Sequence, residues 1–111
     1  MRVILRPRGN GKTRVAVETF LEDSHSVLIV VSPQERERIL NEYAIPVKRR
    51  SHIISCEGAA KALRGTSRRI IVDNADVILQ ILLRTYEPIE MMTVNGGASV
   101  PIVEETNVEP S

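Results

Sequence analysis

The run Val27-Leu28-Ile29-Val30-Val31 limits the fold more than any other part of this chain. A continuous β-branched run suits a strand covered on both faces, whereas a strand with one wet face alternates apolar and polar residues. Further short apolar runs flank it: Arg2 to Leu5, His52 to Ser55, Arg69 to Asp73 and Ile89 to Val94. The segments between them have helical spacing. Val15, Ala16, Phe20 and Leu21 predict a helix over Lys12 to Glu22, and similar patterns predict helices over Glu57 to Leu63 and Ala75 to Tyr86. Ser32-Pro33-Gln34-Glu35 starts another, running to about Tyr43, because Ser32 can cap it, Pro33 fits its first position and Glu35 can close a capping box. Asn95-Gly96 is a tight-turn dipeptide, expected to fold Val100 to Val103 back as an antiparallel partner of the fifth strand, with Pro101 at an edge. Strands separated by helices predict an α/β fold: one minimal three-layer domain over residues 1–103, a mostly parallel sheet flanked by helices. A polar, flexible C-terminal tail is expected over residues 104–111.

At 111 residues the chain has room for one core, and no run of 18 or more apolar residues suggests a membrane span. The amino terminus enters an apolar strand directly, so a cytoplasmic protein without a secretory signal or membrane partner is expected. The single Cys56 excludes an internal disulfide and reads as a small buried apolar residue. Net charge is +4 over residues 1–50 and −3 over residues 51–111. This does not indicate a strongly basic nucleic-acid binder, and DNA is only weakly supported as a partner.

Ligands of such folds bind at the carboxyl ends of the strands. Residues 6–13, RPRGNGKT, fall at that edge. They hold the back half of a phosphate-binding loop, G-x-x-x-x-G-K-[ST], with Arg6 where its first glycine belongs. Gly9 and Gly11 allow close backbone approach and Lys12 supplies a cation. Asn10 lies between the glycines, and Thr13 offers a hydroxyl to magnesium. The tripeptide alone is weak evidence; its position between a strand and a helix is stronger. Asp73 ends a later apolar strand and reads either as a magnesium-ordering carboxylate or as a cap on the helix that follows.

With these residues in view, the chain resembles P-loop NTPases of the ASCE type, in particular the ATPase core of phage terminase large subunits and DEAD-like helicases. PRGNGKT is similar to terminase phosphate loops, which often lack the first glycine and carry an arginine four residues before the lysine, here Arg8. IIVDNAD resembles the Asp-Glu-Ala-Asp box and the terminase Walker B strand. VLIVVSPQERERIL resembles the helicase segment after the second strand, and LRGTSRRIIVD the Leu-Arg-Gly that often precedes Walker B. The resemblance covers roughly residues 2–95 and implies a RecA-like fold that binds ATP and Mg2+. It implies Gly9, Asn10, Gly11, Lys12, Thr13 and Asp73 around the nucleotide, Thr13 and Asp73 on the metal, and Arg8 acting on the γ-phosphate. Thr93 or Asn95 reads either as a γ-phosphate sensor or, for Asn95, as turn chemistry. A phage or prophage origin also follows from the resemblance, with the host cytoplasm as location.

Asn74 stands where that family places its catalytic glutamate. An amide orients a water without accepting its proton, and loss of a general base costs about 10²–10⁴ in rate. Slow or absent hydrolysis is the expectation, with Asp76, two residues on, a weaker substitute. A non-catalytic, nucleotide-dependent interaction module is the alternative. The helix ADVILQILLRTY is apolar nearly all round, and reads as a covered core helix or as a contact for a protein partner or a second copy. Lys48-Arg49-Arg50 with His52 reads as a solvated connector or as a phosphate contact.

Overall fold

The computed structural model describes residues 2–5, 11–93 and 102–105. In chain order these form β1 (Arg2–Leu5), α1 (Lys12–Glu22), β2 (Ser26–Val30), α2 (Pro33–Glu42), a 3₁₀ turn (Val47–His52), β3 (Ile53–Ser55), α3 (Cys56–Leu63), β4 (Arg69–Val72), α4 (Ala75–Leu83) and β5 (Ile102–Glu105). β2 is the centre of a three-stranded parallel sheet of order β3-β2-β4. Leu28 pairs with Ile53 on one side and Ile71 on the other.

β2 explains its own composition, since every residue of the strand is buried. Leu28 and Val30 face one cluster with Val17 and Phe20 of α1, Ile39 of α2, Ile45 and Ile53. Val27 and Ile29 face the other, with Cys56 and Ala59 of α3 and Ile78 of α4. The period-2 alternation of a strand divides its side chains between two helical layers. Each fully buried Leu, Ile or Phe contributes about 1.5–3 kcal/mol. Cys56 is buried, and its thiol donates to the Val31 carbonyl at 3.3 Å.

The helix boundaries follow local chemistry. Ser32, extended at φ −159°, caps α2 by accepting from the Glu35 N–H at 3.1 Å, with Pro33 opening the helix. α4 stops at Leu83, short of the expected Tyr86. Arg84 turns left-handed at φ 56°, and its N–H and that of Thr85 close back on the carbonyls of Gln80 and Ile81. Such a turn satisfies the last carbonyls and ends the helix.

Three expectations need correction. The strands form two ladders, the three-stranded sheet and a parallel pair of β1 with β5, rather than one sheet. Residues 89–93 of the expected fifth strand are not a strand, and Val94 and the Asn95-Gly96 turn lie outside the described residues. Among the described residues the last strand pairs with β1 rather than in a hairpin: it occupies Ile102–Glu105, runs parallel to β1 and extends past the expected start of the polar tail. Parallel pairing demands a crossover connection, which a two-residue turn cannot supply.

The basic connector is a structural part. Arg49 is buried and donates to the carbonyls of Phe20, Asp23 and Ser26 at 3.1–3.3 Å, with its guanidinium 4.1 Å above the Phe20 ring. It thus ties the end of α1 to the start of β2, adding a donor to carbonyls of which Phe20 and Asp23 also accept from the N–H groups of Asp23 and Ser26. Its Nε–H donates to His52 Nδ1 at 3.2 Å. Burial, with the charges of Arg68 and Arg49, pushes the His52 pKa down and favours the neutral, accepting imidazole.

Candidate functional site

The site lies where β2 and β4 end and α1 begins. Gly11 precedes α1 with φ 75° and ψ 18°, a left-handed conformation that glycine adopts without the cost a side chain brings. Its carbonyl accepts the first helical bond, from the Val15 N–H at 3.1 Å. Lys12 and Thr13 therefore sit in the first helical turn, where unpaired N–H groups and the helix dipole favour an anion.

Asp73 reaches the same place from the other side. The Asp73 N–H donates to the Ile29 carbonyl at 3.0 Å, extending the β2–β4 pairing by one bond beyond the strand. The Thr13 hydroxyl donates to Asp73 Oδ2 at 2.9 Å, joining residues sixty positions apart. Asp73 is only 4% exposed. Burial pushes its carboxyl pKa above the ordinary value, against the pull of the Thr13 bond; the charge of Glu35 adds to the rise, and Lys12 and Arg38 oppose it.

Asn74, not Asp73, is the residue that starts α4, and its side chain caps nothing. Asn74 is left-handed, at φ 58° and ψ 53°, a conformation that asparagine tolerates several-fold better than most residues. The backbone thus gives a reason for an amide here apart from chemistry. Its Nδ2 lies 3.5 Å from Asp73 Oδ2, a long contact.

Among the described residues a cleft of about 690 Å³, within the range of small-molecule sites, opens beside these groups, bordered by Thr13 and Asn74 but not by the buried Asp73. Gly11, Lys12, Thr13 and Arg14 line one wall, and Asn74, Asp76 and Val77 another. No protein-family model, curated protein or solved structure matches the chain.

The remaining wall comes from α2 and the residue that ends it, which the sequence did not mark as functional: Glu35, Arg38 and Tyr43. Arg38 grips both oxygens of Glu35, through Nε to Oε2 at 3.0 Å and through Nη2 to Oε1, and also donates to Glu42 at 2.7 Å. The two carboxylates hold the Arg38 guanidinium firmly protonated. The available signal was positional, because α2 follows the strand adjacent to the one that ends in Asp73.

Arg8, Gly9, Asn10 and Asn95 lie outside the described residues. Thr93 is exposed and does not line the cleft. No group of three or more His, Cys, Asp or Glu among the described residues is arranged to hold a metal ion. Magnesium needs no such cage, because it keeps several waters and commonly takes one or two carboxylates plus substrate phosphates. A buried carboxylate beside a hydroxyl and a lysine fits that mode of binding.

Proposed function

We propose that this chain is a minimal P-loop nucleotide-binding domain of the terminase/helicase ATPase type, phage or prophage encoded and cytoplasmic, that binds Mg-ATP and hydrolyses it slowly or not at all. The observation that carries this reading is the hydrogen bond to the buried Asp73 from Thr13, which lines the cleft next to Lys12. A P-loop site brings together a helix amino terminus, a lysine, a hydroxyl and a carboxylate. In this reading Lys12 neutralises the outer phosphates, and the backbone around Gly11 admits them closely. Thr13 and Asp73 hold magnesium, which when bound offsets charge on the β- and γ-phosphates. The buried position of Asp73 supports the assignment, since an ionised carboxylate there gains from a cation.

Calorimetric titration with ATP, GTP and ADP, with and without magnesium, tests the proposal. Magnesium-dependent triphosphate binding that Lys12→Ala abolishes is the expected outcome, and equal heats for wild type and variant would remove the nucleotide reading altogether.

One observation favours the alternative of a nucleotide-dependent interaction module. The α4 residues Leu82 and Leu83 are more than 60% exposed, and Ile81 also faces solvent. α4 starts directly after Asp73 and Asn74, so a change at the cleft would be felt at the root of this apolar helix. Under this reading Mg-ATP alters the mass measured by light scattering while no phosphate is released.

A further inference from the structure

Glu35 occupies the capping-box position of α2, where a glutamate side chain ordinarily turns back to the N–H of the capping residue. Here both of its oxygens are held instead by Arg38, and the pair forms one wall of the cleft facing Lys12, Thr13 and Asn74. The Glu35 side chain is only 19% exposed. It is also anchored to the right strand. β2 and β4 are parallel neighbours, so Glu35, shortly after β2, and Asp73, just after β4, leave the same edge of the sheet.

Resting on the nucleotide reading above, we propose that Glu35 is the carboxylate that accepts a proton from the attacking water, and that Arg38 latches it until a phosphate draws the guanidinium away. Asn74 lacks the basicity for that task. Asp76, the other carboxylate on the cleft wall, is exposed, and no hydrogen bond from the described residues orients it. A guanidinium shared between Glu35 and Glu42 is suited to exchange, because phosphate competes for the same fork of donors. In the step itself the water oxygen bonds to the γ-phosphorus as the bridging bond to the β-phosphate breaks. The electron pair of that bond leaves with ADP. One water proton passes to Glu35 and from it to solvent, leaving inorganic phosphate.

Steady-state phosphate release from Mg-ATP, measured beside the affinity for Mg-ATP, tests the assignment in wild type, Glu35→Gln, Glu35→Asp and Asp76→Asn. The Ser32 cap uses the Glu35 backbone N–H, so both Glu35 variants keep the start of α2. Each is expected to lower phosphate release by about 10²-fold or more, with ATP affinity within about threefold of wild type. Release by Glu35→Gln at the wild-type rate overturns the proposal. So does a loss confined to Asp76→Asn, or a wild type that binds Mg-ATP and releases no phosphate above the Lys12→Ala background. Failure of the wild type to bind any nucleotide is a different result, seen in the affinity measurement, and removes the underlying reading first.

Discussion

The two ends of the β2–β4 pair use the same kinds of residue in opposite ways. At the amino end, Ser26 and Arg69 are paired across the strands, and the nearby charges are committed to the fold. Arg49 ties down three carbonyls, and Asp23 accepts from Arg69 at 2.7 Å and from the His25 N–H at 2.9 Å. At the carboxyl end, Lys12, Asp76 and the Glu35–Arg38 pair border an open cleft, and the buried Asp73 is held in an environment that disfavours its charge. Charges satisfied within the chain stabilise it; charges left facing a cavity are available to a ligand. A basic run in a sequence is silent on which of these it serves.

The contrast can be broken by exchanging the two kinds of loss. Arg49→Ala is expected to have the largest effect, destabilising the fold by about 3 kcal/mol, because it removes a buried guanidinium that bonds three carbonyls at once and uncovers the Phe20 ring. Urea denaturation measures this. A loss below about 1 kcal/mol would show that water replaces the guanidinium there.

Lys12→Ala should do the reverse. A stability change within about 0.5 kcal/mol is expected to accompany at least a hundredfold loss of Mg-ATP affinity, or about 2.7 kcal/mol. A variant that melts early while still binding ATP would invert the comparison.

Asp73→Asn sharpens it. The carboxyl pKa of Asp73 is raised in the folded state, so this group's stabilising contribution is present at low pH and lost as pH rises through the folded value. Near neutral pH the amide should therefore stabilise the protein, by about 0.5–2 kcal/mol, while impairing magnesium-dependent binding. The gain should shrink as melting is followed down to pH 3. A destabilised variant at pH 7 would mean that the Thr13 bond outweighs the burial of charge.

The smallest effect is expected at Asp23. Its pKa is lowered, first by the Arg69 hydrogen bond and then by the His25 N–H, so its contribution is present above the ordinary carboxylate range and is lost as pH falls through the folded value. Because the pair is open to solvent, Asp23→Asn should shift the acid limb of a melting-temperature profile only slightly, and less in high salt. A salt-independent shift would place the pair in a drier setting than its exposure suggests.

The parts legible in the sequence were those fixed by short-range chemistry. The run from Val27 to Val31 announced a strand buried on both sides, Ser32-Pro33 announced the start of α2, and Gly11-Lys12-Thr13 announced a turn into a helix. Each depends on neighbours within a few positions. Arg49 was opaque because its partners lie 23–29 positions away, and a carbonyl acceptor leaves no trace in side-chain identity. Glu35 was legible as a capping residue and opaque as a wall of the cleft, because that depends on which strand lies beside β4. Residues 89–93 carry the composition of a strand without forming one, since an apolar run becomes a strand only where an edge receives it. Likewise β4, nearly as apolar as β2, leaves Ile70 and Val72 about half exposed, because the sheet face these two share is only partly covered by the described residues.

The hydrogen bond from Cys56 to Val31 gives the molecule a built-in reporter. This is the chain's sole thiol, and its acceptor is a residue that lines the cleft just before the Ser32 cap. A thiol-reactive dye reaches a buried sulfur only during transient local opening, so its labelling rate counts excursions of the carboxyl end of β2, and a ligand that tightens the cleft would be heard as a slowing of that clock.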